Sequence, residues 1–405
     1  MHGKKQKDKN KTNQKPAPYN FGSGFFGLWV LFSQFGKDLP EPAAKCLIPA
    51  CGKKYRVYIF CPSIDVKFLI AIVYYPIFSK NNQLPQQEPL TNLVYNMIMQ
   101  TEQRIYQFNR ITVDQVREAE TLPDLLKLTG TETEQLSHDL NLRLTMEETS
   151  SFSIRDAKTG MVWMAQLAES YSQHKERQAF SESEIKAVLG GLLYSDTGKT
   201  GSAFNEGATD NEKREQIKFF LDVFAISEVP NRGISLEEFF HTYYPSDAAE
   251  RIEKLKSYGL QPSMNLKAFH DLHSHWTFDI IDQGGVPKEA VTAAALHHIL
   301  ENQNPQGILG PDGQFTRDFH GSQGFGRTEM LVIILDKLDA FKTRSRKSIP
   351  EAGVLTKERI HKLINDFPEE KLKQFLLSKR DEFDLLLSDV LEAISEEQKN
   401  YALAA

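Results

Sequence analysis

Side chains of the types that bind metal ions occur in four separate segments between residues 196 and 336. They are Asp196, His275, the adjacent pair His297 and His298, and Asp336. Imidazole and carboxylate ligands together suit Fe, Mn, Zn or Ni better than Ca or Mg. If these segments converge in the fold, both rings of the histidine pair would lie in one cavity and bind the same metal ion. The alternative is a set of unrelated core and surface histidines, since a ring near a helix C-terminus also interacts favourably with the last carbonyls.

The segment before Asp196 has the pattern of a capped helix. In "SESEIKAVLGGLLYSD", Ser181 and Glu184 form a capping box, and apolar residues follow at helical spacing from Ile185 to Leu193. We therefore expect Asp196 to lie at the C-terminal end of a helix, beside the core.

Two further apolar helices are predicted around the other candidate ligands. In "VPKEAVTAAALHHIL", Pro287 suits a first turn and His298 shares the apolar face, whereas His297 lies about 100° around the helix. Asp336 directly follows the apolar run "LVIIL". A carboxylate on a buried surface costs free energy unless a cation or hydrogen-bond donors meet it.

Composition excludes some classes of function. The chain has 405 residues, 40% hydrophobic and 25% charged, with a net charge of -6, so no nucleic-acid partner is expected. The three cysteines, Cys46, Cys51 and Cys61, form no CxxC pair, which favours a reduced, cytoplasmic protein. Asp65 and Lys67 interrupt the most apolar stretch and leave a clean run of 11 residues, where a membrane span needs about 20. "GFFGLWVLF" as the core of a signal peptide is the alternative to a cytoplasmic location.

Patterning divides the chain into four parts. Residues 1–20 read as a disordered basic tail, and residues 21–139 as an N-terminal region of unknown role with strand-like runs. Residues 140–395 are predicted to form one helical bundle, followed by a C-terminal tail over 396–405. The fold class is therefore mainly α, preceded by a smaller α/β region.

The order of these motifs resembles the HD superfamily of metal-dependent phosphohydrolases, and in particular its HD-GYP branch, which hydrolyses cyclic di-GMP. The similarity covers residues 150–345. "LLYSDTGKTG" is similar to the central His-Asp motif and its Gly-Lys turn, "LHHILENQNPQGI" to the later His-His segment, and "LDKLDA" to the closing motif. The resemblance implies metal ligands at Asp196, His275, His297, His298 and Asp336, and a phosphate contact at Lys199.

The chain departs from the family at positions that matter for chemistry. Phe152 occupies the place of the first histidine, Ser195 that of the histidine in the His-Asp pair, and Ile299 that of the glutamate after the histidine pair. Gly-Tyr-Pro is absent, although "NQNPQG" keeps Pro305 and Gly307. Both lost histidines hold the same metal in the family, so the resemblance implies one divalent transition-metal ion rather than two.

Two functions follow from the resemblance, with Asp196 and Lys199 as the catalytic candidates. The first is a metal-dependent phosphohydrolase or cyclic di-GMP phosphodiesterase with a single-metal site. The alternative is a catalytically inactive signalling module that binds a nucleotide, a cyclic dinucleotide or a protein partner.

Two other readings of the motifs stay open. "GKT" after Gly198 suggests a P-loop, but Leu193 stands where that loop needs glycine. His270 and Asp271 form a literal His-Asp pair, but no Gly-Lys turn follows them.

Overall fold

The computed structural model describes two compact units, Met1–Phe108 and Asn109–Ala405. The residues it describes are 44–50, 53–60, 70–74, 111–150, 153–174, 176–226, 229–319 and 322–404. The basic tail, the signal-peptide-like segment and Phe152 lie outside them. In the first unit, the described residues form an antiparallel sheet of three strands in sequential order, β1 (Ala44–Ala50), β2 (Lys53–Phe60) and β3 (Ile70–Tyr74).

Helices make up most of the described part of the second unit, as the patterning predicts. They are α1 (Val113–Glu118), α2 (Leu122–Leu128), α3 (His138–Ser150), α4 (Ser153–Gln173), α5 (Glu182–Tyr194), α6 (Asp210–Ala225), α7 (Leu236–Tyr243), α8 (Ala248–Ser257), α9 (Leu266–Ile281), α10 (Lys288–Ala295), α11 (Arg327–Asp339), α12 (Ile349–Asn365), α13 (Glu370–Ser378) and α14 (Arg380–Ala404). Short 3₁₀ turns lie at Thr133–Gln135, Thr197–Thr200, Ile299–Glu301 and Pro305–Gly307, and a π-helical turn at Ala340–Arg344 continues α11. Strands β4 (Gln314–Phe319) and β5 (Ser322–Gly324) pair within the Gly-rich connection.

Helix α5 lies in the main core and delivers the Asp196 motif. The predicted capping box is confirmed, since the Ser181 hydroxyl accepts from the Glu184 amide and the Glu184 carboxylate from the Ser181 amide. Two glycines allow close packing: a Cβ at Gly190 would lie 2.7 Å from the Ala290 Cβ in α10, and one at Gly191 would lie 2.6 Å from Val332 Cγ2 in α11. Because a helix, not a strand, precedes "GKT", the P-loop interpretation is wrong.

Helices α6 to α9 form two helix–loop–helix pairs with an aromatic core of their own. The loops are joined by an antiparallel bridge between Ser235 and Asn265. Phe220 stacks on Phe269 at 6.2 Å and meets Trp276 edge-on at 5.3 Å between ring centroids. Helix α9 begins in this aromatic core, and its later turns pack against the 3₁₀ turn that follows Asp196.

The ends of the helical unit differ from the predicted boundaries. Helices α1 and α2, inside the predicted N-terminal region, belong to the unit that starts at Asn109, and Val116 and Leu126 are buried in its main core. Helix α14 continues through most of the predicted tail, to Ala404. None of the helices that the structure describes combines the length and hydropathy needed to cross a bilayer.

Candidate metal centre

Three histidines from two segments converge in the helical unit. His273 lies on α9, and His297 and His298 lie in the turn that follows α10. One ring nitrogen from each lies within 4.8 Å of the other two. His297 is fully buried, His273 is buried and His298 is half-buried. Solvent therefore has access to the group at His298. We call these three residues the histidine cluster.

The turn after α10 brings both members of the pair into the cluster. On a continuous helix they would be separated by about 100°, and His298 is the one predicted to face inward. The helix instead ends at Ala295, and His297 is the more deeply buried of the two. Their ring centroids lie 4.1 Å apart.

Hydrogen bonds at Nδ1 fix how two of the rings present their other nitrogen. His297 Nδ1 lies 2.6 Å from the Ala294 carbonyl oxygen, and His273 Nδ1 contacts the carbonyl oxygen of His270. A carbonyl oxygen only accepts, so Nδ1 must carry the proton in both rings. In the neutral rings Nε2 is therefore left with a lone pair, the arrangement that metal-binding histidines usually show.

The two lone pairs face each other. His273 Nε2 and His297 Nε2 lie 3.2 Å apart, and neither has a proton to share when both rings are neutral. Two nitrogens bound to one ion at about 2.1 Å, with an angle between octahedral and tetrahedral, lie about 3.0–3.4 Å apart. A cation between the two atoms would turn a repulsive contact into two bonds.

His298 is oriented by a carboxylate in place of a carbonyl. Its Nδ1 lies 3.1 Å from Glu301 Oε2, and Glu301 also accepts from the buried Lys337 at 2.9 Å. Burial opposes ionisation of Glu301, but Lys337 and His298 hold its pKa well below the usual range. The resemblance implies a glutamate directly after the histidine pair, but this position holds the buried Ile299. Glu301, two residues further along the chain, contacts His298 with its carboxylate instead.

Asp196 lies at the edge of the cluster. Its Oδ1 is 3.9 Å from His273 Nε2, and its Oδ2 accepts from Lys199 Nζ at 2.6 Å. Burial opposes its ionisation, but the Lys199 ammonium and the nearby imidazoles hold the pKa of Asp196 well below its ordinary value. One carboxylate oxygen therefore faces the histidines while the other is paired with the lysine.

Burial prepares the two inner imidazoles as ligands. Desolvation, together with the charge that neighbouring rings would carry, lowers the pKa of His273 and of His297 well below the usual range. Neutral imidazole is the form that binds a metal ion. The three imidazoles thus fit a divalent transition metal, and Asp196 Oδ1, 3.9 Å from His273 Nε2, faces this group of three but is not part of it.

His273 stands in the cluster where the resemblance assigns His275. Residues two apart on a helix lie about 200° from each other, and the half-buried His275 does not belong to the group. The burial of His273 could have been predicted from the sequence. The spacing of one buried helical face includes Leu266, Phe269, His273 and Trp276.

Asp336 also lies outside the histidine cluster, half-buried on α11. Its companion Asp339 is buried and accepts from Thr343 Oγ1 at 3.0 Å. Burial and the nearby Asp156 carboxylate raise the pKa of Asp339 to about 6. Burial also raises the pKa of Asp156, and the Asp196 charge contributes to that rise. We call Asp156 and Asp339 the carboxylate pair.

The remaining motif residues do not supply ligands to the cluster. The Ser195 hydroxyl donates to the Leu192 carbonyl oxygen at 3.0 Å, which turns it back onto its own helix. His270 contributes its carbonyl oxygen to orient His273, while Asp271 pairs with Lys267 at 2.6 Å. The literal His-Asp pair is therefore outside the cluster.

Comparison with known proteins adds no further assignment. Searches of protein-family models, curated proteins and solved structures find no match to this chain.

Proposed function

We propose that the helical unit is a divergent HD-type domain that holds one divalent transition-metal ion through His273, His297 and His298 and hydrolyses a phosphate ester there. The observation that carries the proposal is the pair of Nε2 atoms 3.2 Å apart, each on a ring whose Nδ1 donates to a backbone carbonyl. Three imidazoles with a further position for water form a ligand set that catalytic zinc sites use.

Asp196 and Lys199 supply the groups that a phosphate ester would need beside the ion. A bound ion would lower the pKa of a coordinated water toward neutrality. Asp196 is ionised at neutral pH, and its Oδ1 faces the histidines, where it can accept a hydrogen bond from that water and orient it. The Lys199 ammonium, now 2.6 Å from Asp196 Oδ2, can meet a phosphate oxygen as a point charge.

Hydrolysis of cyclic di-GMP is expected to be weak or absent. With one ion, the charge that develops on the phosphate is met by a single metal and Lys199, without the clamp that two metals provide. Each tenfold loss of rate corresponds to about 1.4 kcal/mol of transition-state stabilisation.

A non-catalytic module that binds a nucleotide or a protein partner is the second candidate. The short Lys199–Asp196 ion pair favours it, because each charge already has a partner and neither is committed to a substrate. In this case the ion would have a structural or sensing role.

The test uses the full chain loaded with Mn²⁺ or Fe²⁺ and assayed with bis(4-nitrophenyl) phosphate and cyclic di-GMP. We expect slow, metal-dependent hydrolysis of the first substrate that is lost in His297→Ala and kept in the control His275→Ala. Bound metal without any hydrolysis would favour the second candidate. Failure to bind metal, or brisk turnover of cyclic di-GMP, would overturn the single-metal proposal.

A further inference from the structure

The Thr277 hydroxyl hydrogen-bonds with the backbone on both sides of Asp196. Thr277 Oγ1 donates to the Ser195 carbonyl oxygen at 2.9 Å and accepts from the Gly198 amide at 2.9 Å. Ser195 and Gly198 flank Asp196, and Thr277 is fully buried in α9. The hydroxyl therefore uses both its donor and its acceptor capacity on the backbone of the turn that carries Asp196.

The same turn is in direct backbone contact with the part of α9 that carries His273. A Cβ at Gly198 would lie 1.9 Å from the His273 carbonyl oxygen and 2.6 Å from the Thr277 amide nitrogen. His273 lies about one helical turn before Thr277. The imidazole of His273 and the two hydrogen bonds of Thr277 thus belong to one rigid stretch of helix.

We propose that Thr277 is a positioning residue for the metal site, which sets the Asp196 carboxylate relative to His273. The inference rests on the proposed metal site and adds to it a residue that touches neither metal nor substrate. Removal of the hydroxyl would free the backbone on both sides of Asp196 while His273 keeps its place on α9.

A different residue holds the far end of the motif. The buried Arg143 donates to the carbonyl oxygens of Thr200 at 3.1 Å, Gly201 at 3.0 Å and Ser202 at 2.7 Å. Arg143 therefore anchors the chain after Lys199, and Thr277 anchors the chain at Asp196. The two contributions can be separated by mutation.

The experiment measures Co²⁺ affinity by calorimetry and the Co²⁺ ligand-field spectrum in Thr277→Val and Thr277→Ser. We expect the valine variant to bind Co²⁺ about tenfold more weakly with an altered spectrum, as for other residues that orient metal ligands, and the serine variant to resemble wild type. Thr356→Val is the matched control, since Thr356 is a fully buried helical threonine whose hydroxyl has no hydrogen-bond partner among the described residues. Its Co²⁺ affinity should not change.

A second background tests whether Thr277 acts through Asp196. In Asp196→Asn the valine substitution should cost little further affinity, because residues that act through one another are not additive. An equal loss of affinity in both backgrounds, or wild-type affinity and spectrum in Thr277→Val, would overturn the proposal. If the valine variant does not fold by circular dichroism, Thr277→Ala is measured in its place. The metal site itself fails separately, if His273→Ala leaves Co²⁺ binding intact.

Discussion

The histidine cluster and the carboxylate pair are two neighbouring groups on which burial has opposite effects. Desolvation lowers the pKa of His273 and His297 and raises the pKa of Asp156 and Asp339. In each case burial disfavours the charged form. For an imidazole the neutral form is the ligand, whereas for a carboxylate the neutral form binds metal poorly.

The ligands available in this chain favour one ion rather than two. In the histidine cluster, burial favours the neutral form of His273 and His297, and Ala294, His270 and Glu301 orient the three rings. The resemblance assigns the other ion to two histidines and two aspartates, and the chain has Phe152 and Ser195 in place of those histidines. Burial and Asp156 raise the pKa of Asp339 to about 6, so this carboxyl is protonated more readily than an ordinary aspartate as pH falls.

The largest effect on metal affinity is expected when His273, rather than His275, is replaced. His273→Ala should lower Co²⁺ affinity at least about 100-fold, or about 2.7 kcal/mol, because a ligand is lost from the site. His275→Ala is the matched control on the same helix, and its affinity should match that of wild type. Calorimetric titration checks both, and a loss confined to His275→Ala would return that residue to the site.

A second ion is expected when histidine is introduced at the two positions where the resemblance implies one. We expect Phe152→His combined with Ser195→His to raise the metal content from one ion per chain toward two, measured by mass spectrometry. Imidazole supplies the affinity for transition metals that carboxylates alone lack. The single Ser195→His variant is the intermediate control. A metal content that stays at one would show that these two histidines are not sufficient for a second metal site.

A smaller effect is expected from the carboxylate that orients His298. Glu301→Gln should weaken Co²⁺ binding by about 10–100-fold, the usual effect of changing a partner that orients a ligand. It also leaves the buried Lys337 without its anionic partner at 2.9 Å. Glu358→Gln, on the exposed surface of α12, is the control. Unchanged affinity in Glu301→Gln would mean that His298 needs no orientation.

The last predicted effect is on folding stability rather than on metal binding, and it comes from Asp339 of the carboxylate pair. The pKa of Asp339 is raised in the folded state to about 6, so folding favours its protonated form. Its stabilising contribution at low pH is lost as pH rises from about 4 through about 6.

Asp339→Asn should therefore gain stability relative to wild type between pH 4 and pH 8, by about 1–3 kcal/mol. Thermal melts at both pH values check this, with the exposed Asp366→Asn as control. The charged and polar groups around Asp339 are Asp156, Asp336, Lys342 and Thr343. If Asp339→Asn instead loses stability relative to wild type as pH rises, the predicted direction of the pKa shift is wrong.

Local features of the site were predictable because their physical causes lie within a few residues. The capping box at Ser181, the helix that ends before Asp196 and the helical class of the second unit all follow from spacing along the chain. The breaks in the pattern were harder to predict. The pair at His297 and His298 lies in a turn because α10 stops at Ala295, and nothing in the continuous apolar pattern marks that end.

The sequence by itself determined which residue types were present to bind a metal and which helices would carry them. Only the tertiary structure decided which of them meet. His273 and His297 are 24 residues apart, and their Nε2 atoms come within 3.2 Å because α9 and the turn after α10 pack side by side. Asp196 joins them through the close contact of Gly198 with α9. Such contacts depend on the packing of whole helices, which periodicity along one helix does not specify.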